Sequence, residues 1–414
     1  MNKRVELLAP AGSRSKLNTA LHFGADAAYI AGAKFGLRAY ADNFDAEGLA
    51  SAVCYAHGLG KKVYVAVNIF PRNSDFGEMA EYLKYLAEIK ADGVIMTDAG
   101  AISLCMKVAP TLQVHLSTQA NTTNGYAAKY WAEQGVKRIV LARELSLEEI
   151  IEIKEIVGDL AELEVFVHGA MCVSYSGRCL LSNYLSDRNS NRGECVQACR
   201  WEYSLTEANR KGNPLTITED GRGVYILNSK DLNMLPYIDK LIGAGVNCFK
   251  IEGRMKSEYY VGSVVNAYRR AIDGYYLNAG GYTLDKCLAE ELDKTSHRGY
   301  TTGLYFKSTD NICLETSKPE CEYVFIAEVL GYDFERKAVA VEQRNRFKEG
   351  DILEVLSPDG NFNKKLTVAE VTDENGNRVS DCKYVQQKLY IKSDIILREY
   401  DILRRLASEV HDEI

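Results

Sequence analysis

Three kinds of signature are missing from this 414-residue sequence, and each omission narrows the fold or the chemistry. No run approaches ~20 uninterrupted apolar residues, and Met1 to Arg4 lead straight into a short apolar stretch without the charged and apolar regions of a secretory leader. A cytoplasmic protein that does not enter the membrane is expected. No strand-like run is followed by a Gly-x-Gly-x-x-Gly turn, which argues against a doubly wound dinucleotide fold. His-Glu-x-x-His, Gly-x-Ser-x-Gly and tight Cys-x-x-Cys knuckles are all lacking, so neither common protease motif nor a standard zinc knuckle is present. No internal repeat or low-complexity tract stands out.

What is present reads as an α/β protein with a second, smaller part. From residue 5 to about 277, short β-branched runs alternate with helical patterns, the sign of parallel strands joined by crossover helices. Nine runs qualify: 5–8, 28–30, 62–67, 93–97, 113–116, 138–141, 164–167, 224–227 and 247–251. A TIM-like (β/α) barrel needs eight, so one is surplus. Polar residues cluster after these runs, at Asn68, Thr97-Asp98, Ser117-Thr118-Gln119, Arg143-Glu144, His168-Gly169 and Glu252-Gly253-Arg254, where barrel enzymes carry their sites. The barrel domain is expected over 1–277, with an insertion at about 170–235, then a partly helical linker over 278–320. Alternating runs and the turn dipeptides Asp359-Gly360 and Asn375-Gly376 predict a small all-β barrel domain over 321–406.

Eleven cysteines is an odd number for a disulfide framework, and four of them gather at Cys172, Cys179, Cys195 and Cys199, separated by six, fifteen and three residues. Soft thiolates on a loop after a strand suit zinc or an iron-sulfur cluster, and the spacing alone does not choose between them or exclude ordinary reduced thiols. Cys54, Cys105, Cys248, Cys287, Cys313, Cys321 and Cys382 are scattered and read as packing residues. A formal charge of −7 argues against non-specific nucleic-acid binding over the whole surface; an RNA partner would need a local basic patch.

The segment Glu164-Val165-Phe166-Val167-His168-Gly169-Ala170-Met171-Cys172, continued by Val-Ser-Tyr-Ser-Gly-Arg-Cys-Leu-Leu-Ser to position 182, resembles the signature of peptidase family U32. Gly193-Glu194-Cys195, Cys199-Arg200-Trp201, Asn228-Ser229-Lys230-Asp231-Leu232, Lys250-Ile251-Glu252-Gly253-Arg254 and His297-Arg298-Gly299-Tyr300 resemble its tRNA-hydroxylating branch, over nearly the whole chain. That resemblance implies oxygen-independent, prephenate-dependent conversion of the wobble uridine in the tRNA anticodon loop to 5-hydroxyuridine. It also implies a [4Fe–4S] cluster, with zinc the alternative. Cys172, Cys179 and Cys195 match shared ligand positions; some relatives carry the fourth where this chain has Asn233, so Cys199 is assigned instead. A paralogous subunit or a second copy of the chain is a further partner to consider. The family's older name points to a peptidase or collagenase, the competing reading.

Among other residues, His168, Glu252 and Arg254 are the catalytic candidates, standing at or just past strand ends where protons can be moved. Arg143, Arg178 and Arg298 are expected to bind carboxylates or phosphates, since a guanidinium offers two parallel donors. Glu6 and Asp98 are weaker candidates near strand ends, and His115 reads as core. Tyr175, Tyr184, Trp201 and Tyr203 could stack on an unpaired base, and Arg344, Arg346 and Lys348 could dock the RNA body.

Overall fold

The computed structural model describes residues 4–37, 43–172, 174–177, 179–186, 188, 190–192, 194–200, 219–220, 223–224, 229–307 and 321–407. Seven strands come first: β1 (Glu6–Pro10), β2 (Ala27–Ile30), β3 (Lys62–Val67), β4 (Gly93–Met96), β5 (Gln113–Leu116), β6 (Arg138–Val140) and β7 (Glu162–Ala170). Then follow β8 (Asp231–Asn233), β9 (Cys248–Ile251) and β10 (Tyr300–Thr301). In the order β9-β1-β2-β3-β4-β5-β6-β7 the strands run parallel, and β7 pairs back onto β9, closing an eight-stranded barrel. Eight of the nine expected runs are therefore barrel strands. The surplus one is 224–227: Val224 belongs to a short antiparallel pairing with Glu219, and 225–227 lie outside the described residues. Two pieces went unforeseen, β8, which runs antiparallel beside the end of β7, and β10, which pairs parallel with β8.

Short polar side chains start the crossover helices at fixed places past the strands. Ser13, Asp45, Asp98, Asn124, Ser146 and Ser257 each accept a hydrogen bond from the backbone N–H three residues on, satisfying a donor the helix leaves open. Asp98 is thereby accounted for as a helix cap rather than a proton-handling group.

The barrel interior carries charge. Arg138, 2% exposed, bonds Glu6 at 2.6 Å, Glu162 at 2.6 Å and, more loosely, Glu164 at 3.4 Å. The Tyr64 hydroxyl donates to Glu6 at 3.1 Å, its ring lies 4.4 Å from that of His115, and Lys250 Nζ donates to Glu164 at 2.7 Å. Burial alone would raise the Glu6 carboxyl, but the charges of Arg138 and Lys62 prevail and hold it below its ordinary range. Glu6 opens β1, so this network sits toward the amino-terminal end of the strands, away from the mouth where a catalytic carboxylate was expected.

After the barrel, the helix Lys286–Asp293 leads toward the C-terminal β domain, whose antiparallel strands run in the order 365–367, 352–356, 402–406, 323–333, 338–343, 388–392, 371–373. The first and last strands of that order are joined by residues 368–370 alone. Three intervening residues reach at most ~14 Å, so the two edges lie near each other and the sheet curls around Ile326, Val341, Leu353, Leu389 and Leu403. Arg404, fully buried, clasps the two parts. It meets Glu291 of the linker helix through two bonds of 2.5 and 2.6 Å and Glu354 of its own sheet at 2.7 Å. Removing the guanidinium leaves the fully buried Glu291 with only Lys294, 3.7 Å away, as a cationic neighbour, whereas Glu354 keeps Lys294 and Lys365, both at 2.6 Å. An Arg404→Met variant is expected to lose about 3–5 kcal/mol of stability in urea unfolding; a loss below about 1 kcal/mol would show that the clasp is not what joins the parts.

Candidate active site

A cavity of about 250 Å³ opens at the carboxyl ends of the barrel strands. Its wall takes Ala66 and Asn68 from β3 and its loop, Ile95 from β4, Ser117, Thr118 and Gln119 from the loop after β5, and Arg143 from the loop after β6. Tyr29 of β2, Leu37 of the loop that follows it, Phe166 and Ala170 of β7, and Lys250, Glu252 and Arg254 of β9 and its loop also belong to the barrel's share. All four clustered cysteines line the remaining side.

Specific tethers bring the cysteine segment there. The backbone N–H and hydroxyl of Ser176 donate to the Glu144 carboxylate at 2.8 and 2.9 Å. Gly177, at φ +73°, lies so close to the loop after β5 that a Cβ would fall 2.4 Å from the Gln119 carbonyl oxygen; no other residue fits without moving that loop. The Ser190 hydroxyl donates to the Cys179 carbonyl at 2.9 Å, and Arg192 reaches Phe70 O and Asp75, both at 3.0 Å. The Gln197 N–H points at Cys195 Sγ from 3.4 Å, the kind of donor that steadies a thiolate.

Whether this donor set suits a metal group is a question of chemistry and shape. Among the described residues no three His, Cys, Asp or Glu side chains converge on one point, as a mononuclear zinc site demands. A [4Fe–4S] cube asks for no such convergence, because each of its four thiolates binds a different iron. Asn233 uses its Oδ1 to accept the Leu235 N–H at 3.0 Å, whereas Cys199 lines the cavity. Four thiols along one side of the cavity are a donor set that an iron-sulfur cluster can take.

Profiles of two protein families match the chain, peptidase family U32 over residues 12–314 and the family U32 C-terminal domain over residues 321–404. The chain belongs to peptidase family U32. A U32 relative named tRNA hydroxylation protein P1, from Bacillus subtilis, is 40% identical over 98% of this chain and 96% of its own length. The tRNA hydroxylation protein P of Escherichia coli is 39% identical over 87% of this chain and 88% of its own. A 23S rRNA 5-hydroxycytidine synthase of Escherichia coli is 32% identical over 91% of this chain and 56% of its own.

Within this U32 barrel the residues singled out by sequence separate into two groups. Arg143, Glu252, Arg254 and the four cysteines share the cavity. Arg143 Nη1 donates to the Ala170 carbonyl at 3.2 Å and its guanidinium lies over the Phe166 ring; Arg254 Nη2 donates to the Leu37 carbonyl at 2.7 Å. His168 and Arg298 do not line it. Arg298 stands instead 3.6 Å from Asp231, and Arg178 lies outside the described residues. Tyr175, 54% exposed, reaches the cavity rim; Trp201 and Tyr203, and the side chain of Tyr184, also lie outside the described residues.

His168 is misplaced by sequence for a definable reason. Glu164 and Phe166 face inward, and strict alternation would put His168 inward as well. The register slips between Lys250 and Ile251, which pair with Phe166 and His168, so the bulge turns the imidazole out toward Tyr260, Tyr268 and Tyr300. Lys250 is the residue that sequence reading passed over. The signal was there, a lysine inside the apolar run Cys-Phe-Lys-Ile and on the same face as Glu252.

Burial, with smaller contributions from Lys256 and His297, pushes the His168 imidazole down from 6.5 to about 3. The unfolded chain therefore takes up a proton that the folded chain refuses, so acid favours unfolding throughout that window. Between about pH 7 and about pH 5 this group removes about 2 kcal/mol of stability. A His168→Gln variant, compared with the native protein by urea unfolding at both pH values, is expected to lose that part of the slope; an unchanged slope would show that His168 titrates normally.

Proposed function

We propose that this U32 protein is an RNA hydroxylase acting on tRNA. It converts the wobble uridine to 5-hydroxyuridine, with prephenate as co-substrate and a [4Fe–4S] cluster held by Cys172, Cys179, Cys195 and Cys199. The observation that carries the reading is the end-to-end similarity to tRNA hydroxylation protein P1, which runs through both the barrel and the β domain. Replacing the C5–H of uracil by C5–OH is a two-electron oxidation, so a route without dioxygen needs another two-electron acceptor, while water can supply the oxygen; prephenate is the co-substrate on which the route depends. When bound, the cluster would supply electron transfer or Lewis-acid polarisation.

The chain's own residues have simpler tasks. Arg143 and Arg254 offer guanidinium donors to carboxylates, and Glu252 offers a proton acceptor in the same cavity. Tyr175 presents an exposed ring at the rim, on which a base displaced from the anticodon loop can stack. The peptidase reading finds less support: no histidine lines the cavity among the described residues, and His115 and His168 are both buried.

Deleting the gene is expected to remove 5-hydroxyuridine from tRNA hydrolysates analysed by mass spectrometry. The native gene should restore it, and a Cys179→Ser variant should reduce restoration by at least about tenfold while native-like circular dichroism shows that the chain still folds. Anaerobically purified protein should contain about four iron and four sulfide per chain. Unaltered 5-hydroxyuridine in the deletion strain would refute the hydroxylase reading, and stoichiometric zinc without sulfide would refute the cluster.

A further inference from the structure

The floor of the cavity holds a cation whose surroundings call for an anion. Lys250 is only 5% exposed, and its ammonium lies 4.7 Å from the centre of the Tyr29 ring and 5.4 Å from that of Phe166. Both rings line the same cavity as Lys250 itself. Of its three N–H donors, one goes to Glu164 at 2.7 Å, and no second acceptor is found for it among the described residues. Glu164 is fully buried and also lies 3.4 Å from Arg138, so it has a cationic neighbour besides the lysine. A lysine needed only to neutralise Glu164 gains little, since a buried ion pair is seldom more stable than apolar residues of the same size. Arg143, Lys250 and Arg254 set three positive charges against the single carboxylate of Glu252 among the charged lining residues described.

We propose that Lys250 binds one carboxylate of a small dicarboxylate at the cavity floor, that Arg143 and Arg254 take the other, and that Glu164 is the positioning residue that aims the ammonium. The inference rests on the hydroxylase reading, which calls for such a co-substrate, and it places that molecule beneath the base rather than beside it. Depth favours a small molecule over the RNA backbone: the phosphates of a folded RNA cannot descend to a side chain this enclosed.

The test is calorimetric titration of prephenate into the full-length, cluster-loaded protein and its variants. Lys250→Met is expected to weaken binding about tenfold to a hundredfold, the loss of one charged hydrogen bond. The double variant Lys250→Met/Glu164→Gln removes both charges together, strands no buried carboxylate, and should weaken binding equally while keeping native unfolding behaviour. Lys250→Arg, which keeps the charge, should recover much of the affinity, and Glu164→Gln alone should weaken binding while leaving Lys250 in place. Native-like affinity in the double variant would overturn the inference. So would a native protein that sustains 5-hydroxyuridine in cells yet binds no prephenate, a result that leaves the hydroxylase reading standing. Failure of that reading shows separately, as 5-hydroxyuridine that persists when the gene is deleted.

Discussion

The ion pair between Glu164 and Lys250 spans the seam between β7 and β9, the seventh and eighth strands of the barrel. A long insertion carrying the cysteine segment and β8 separates β7 from β9 in sequence, and the pair helps to set β9 beside β7, from where β9 reaches β1 and closes the barrel. Both charges are out of water, where an unmatched one costs several kcal/mol, and each partner therefore penalises any closure that leaves the other alone. Arg138 extends the requirement to β6 and, through Glu6, to β1. Four strands are thus tied by a network that tolerates little slippage, and one end of it, Lys250, forms part of the cavity.

Above that floor the mouth is built differently. β7 runs on past the seam, pairs with β8, and hands the chain directly to Met171 and Cys172. Gly169 at φ +105° makes the passage possible: a side chain there would begin 2.4 Å from the Glu252 carbonyl oxygen. Among the described residues the cysteine segment is tied to the barrel by Glu144 to Ser176, Gly177 against Gln119, and Arg192 to Asp75. The charges are divided, cations toward the barrel and thiols toward the insertion.

This division also governs what was legible in the sequence. Parallel barrel strands are buried on both faces and appear as plain apolar runs, so the architecture could be read directly. The clusters after those runs named much of the cavity, including Asn68, Ser117, Gln119, Arg143, Glu252 and Arg254. β8 escaped because Asp-Leu-Asn carries no strand signal and pairs only on account of where β7 ends. His168 stands outside the cavity because of a one-residue register slip, which cannot be seen in a linear sequence yet reverses the side of the strand that a residue faces. Lys250 was overlooked because its meaning lies in Glu164, 86 positions away.

Charge finally limits how a protein of this kind can meet RNA. With a net charge of −7 it gains little from broad counterion release, and the cations expected to dock an RNA body are largely committed. Arg344 pairs with Glu328 and Glu342, and Arg346 forms two bonds to Asp381. Positive charge within the cavity is enclosed and suits small anions rather than a phosphate backbone. Recognition on the proposed reading then falls to the base itself, drawn out of the loop, stacked at the rim near Tyr175 and read by the amides and hydroxyls of Asn68, Gln119 and Ser117. Such binding depends weakly on salt and strongly on whether the nucleotide is unpaired, which is the condition a wobble position in an anticodon loop fulfils.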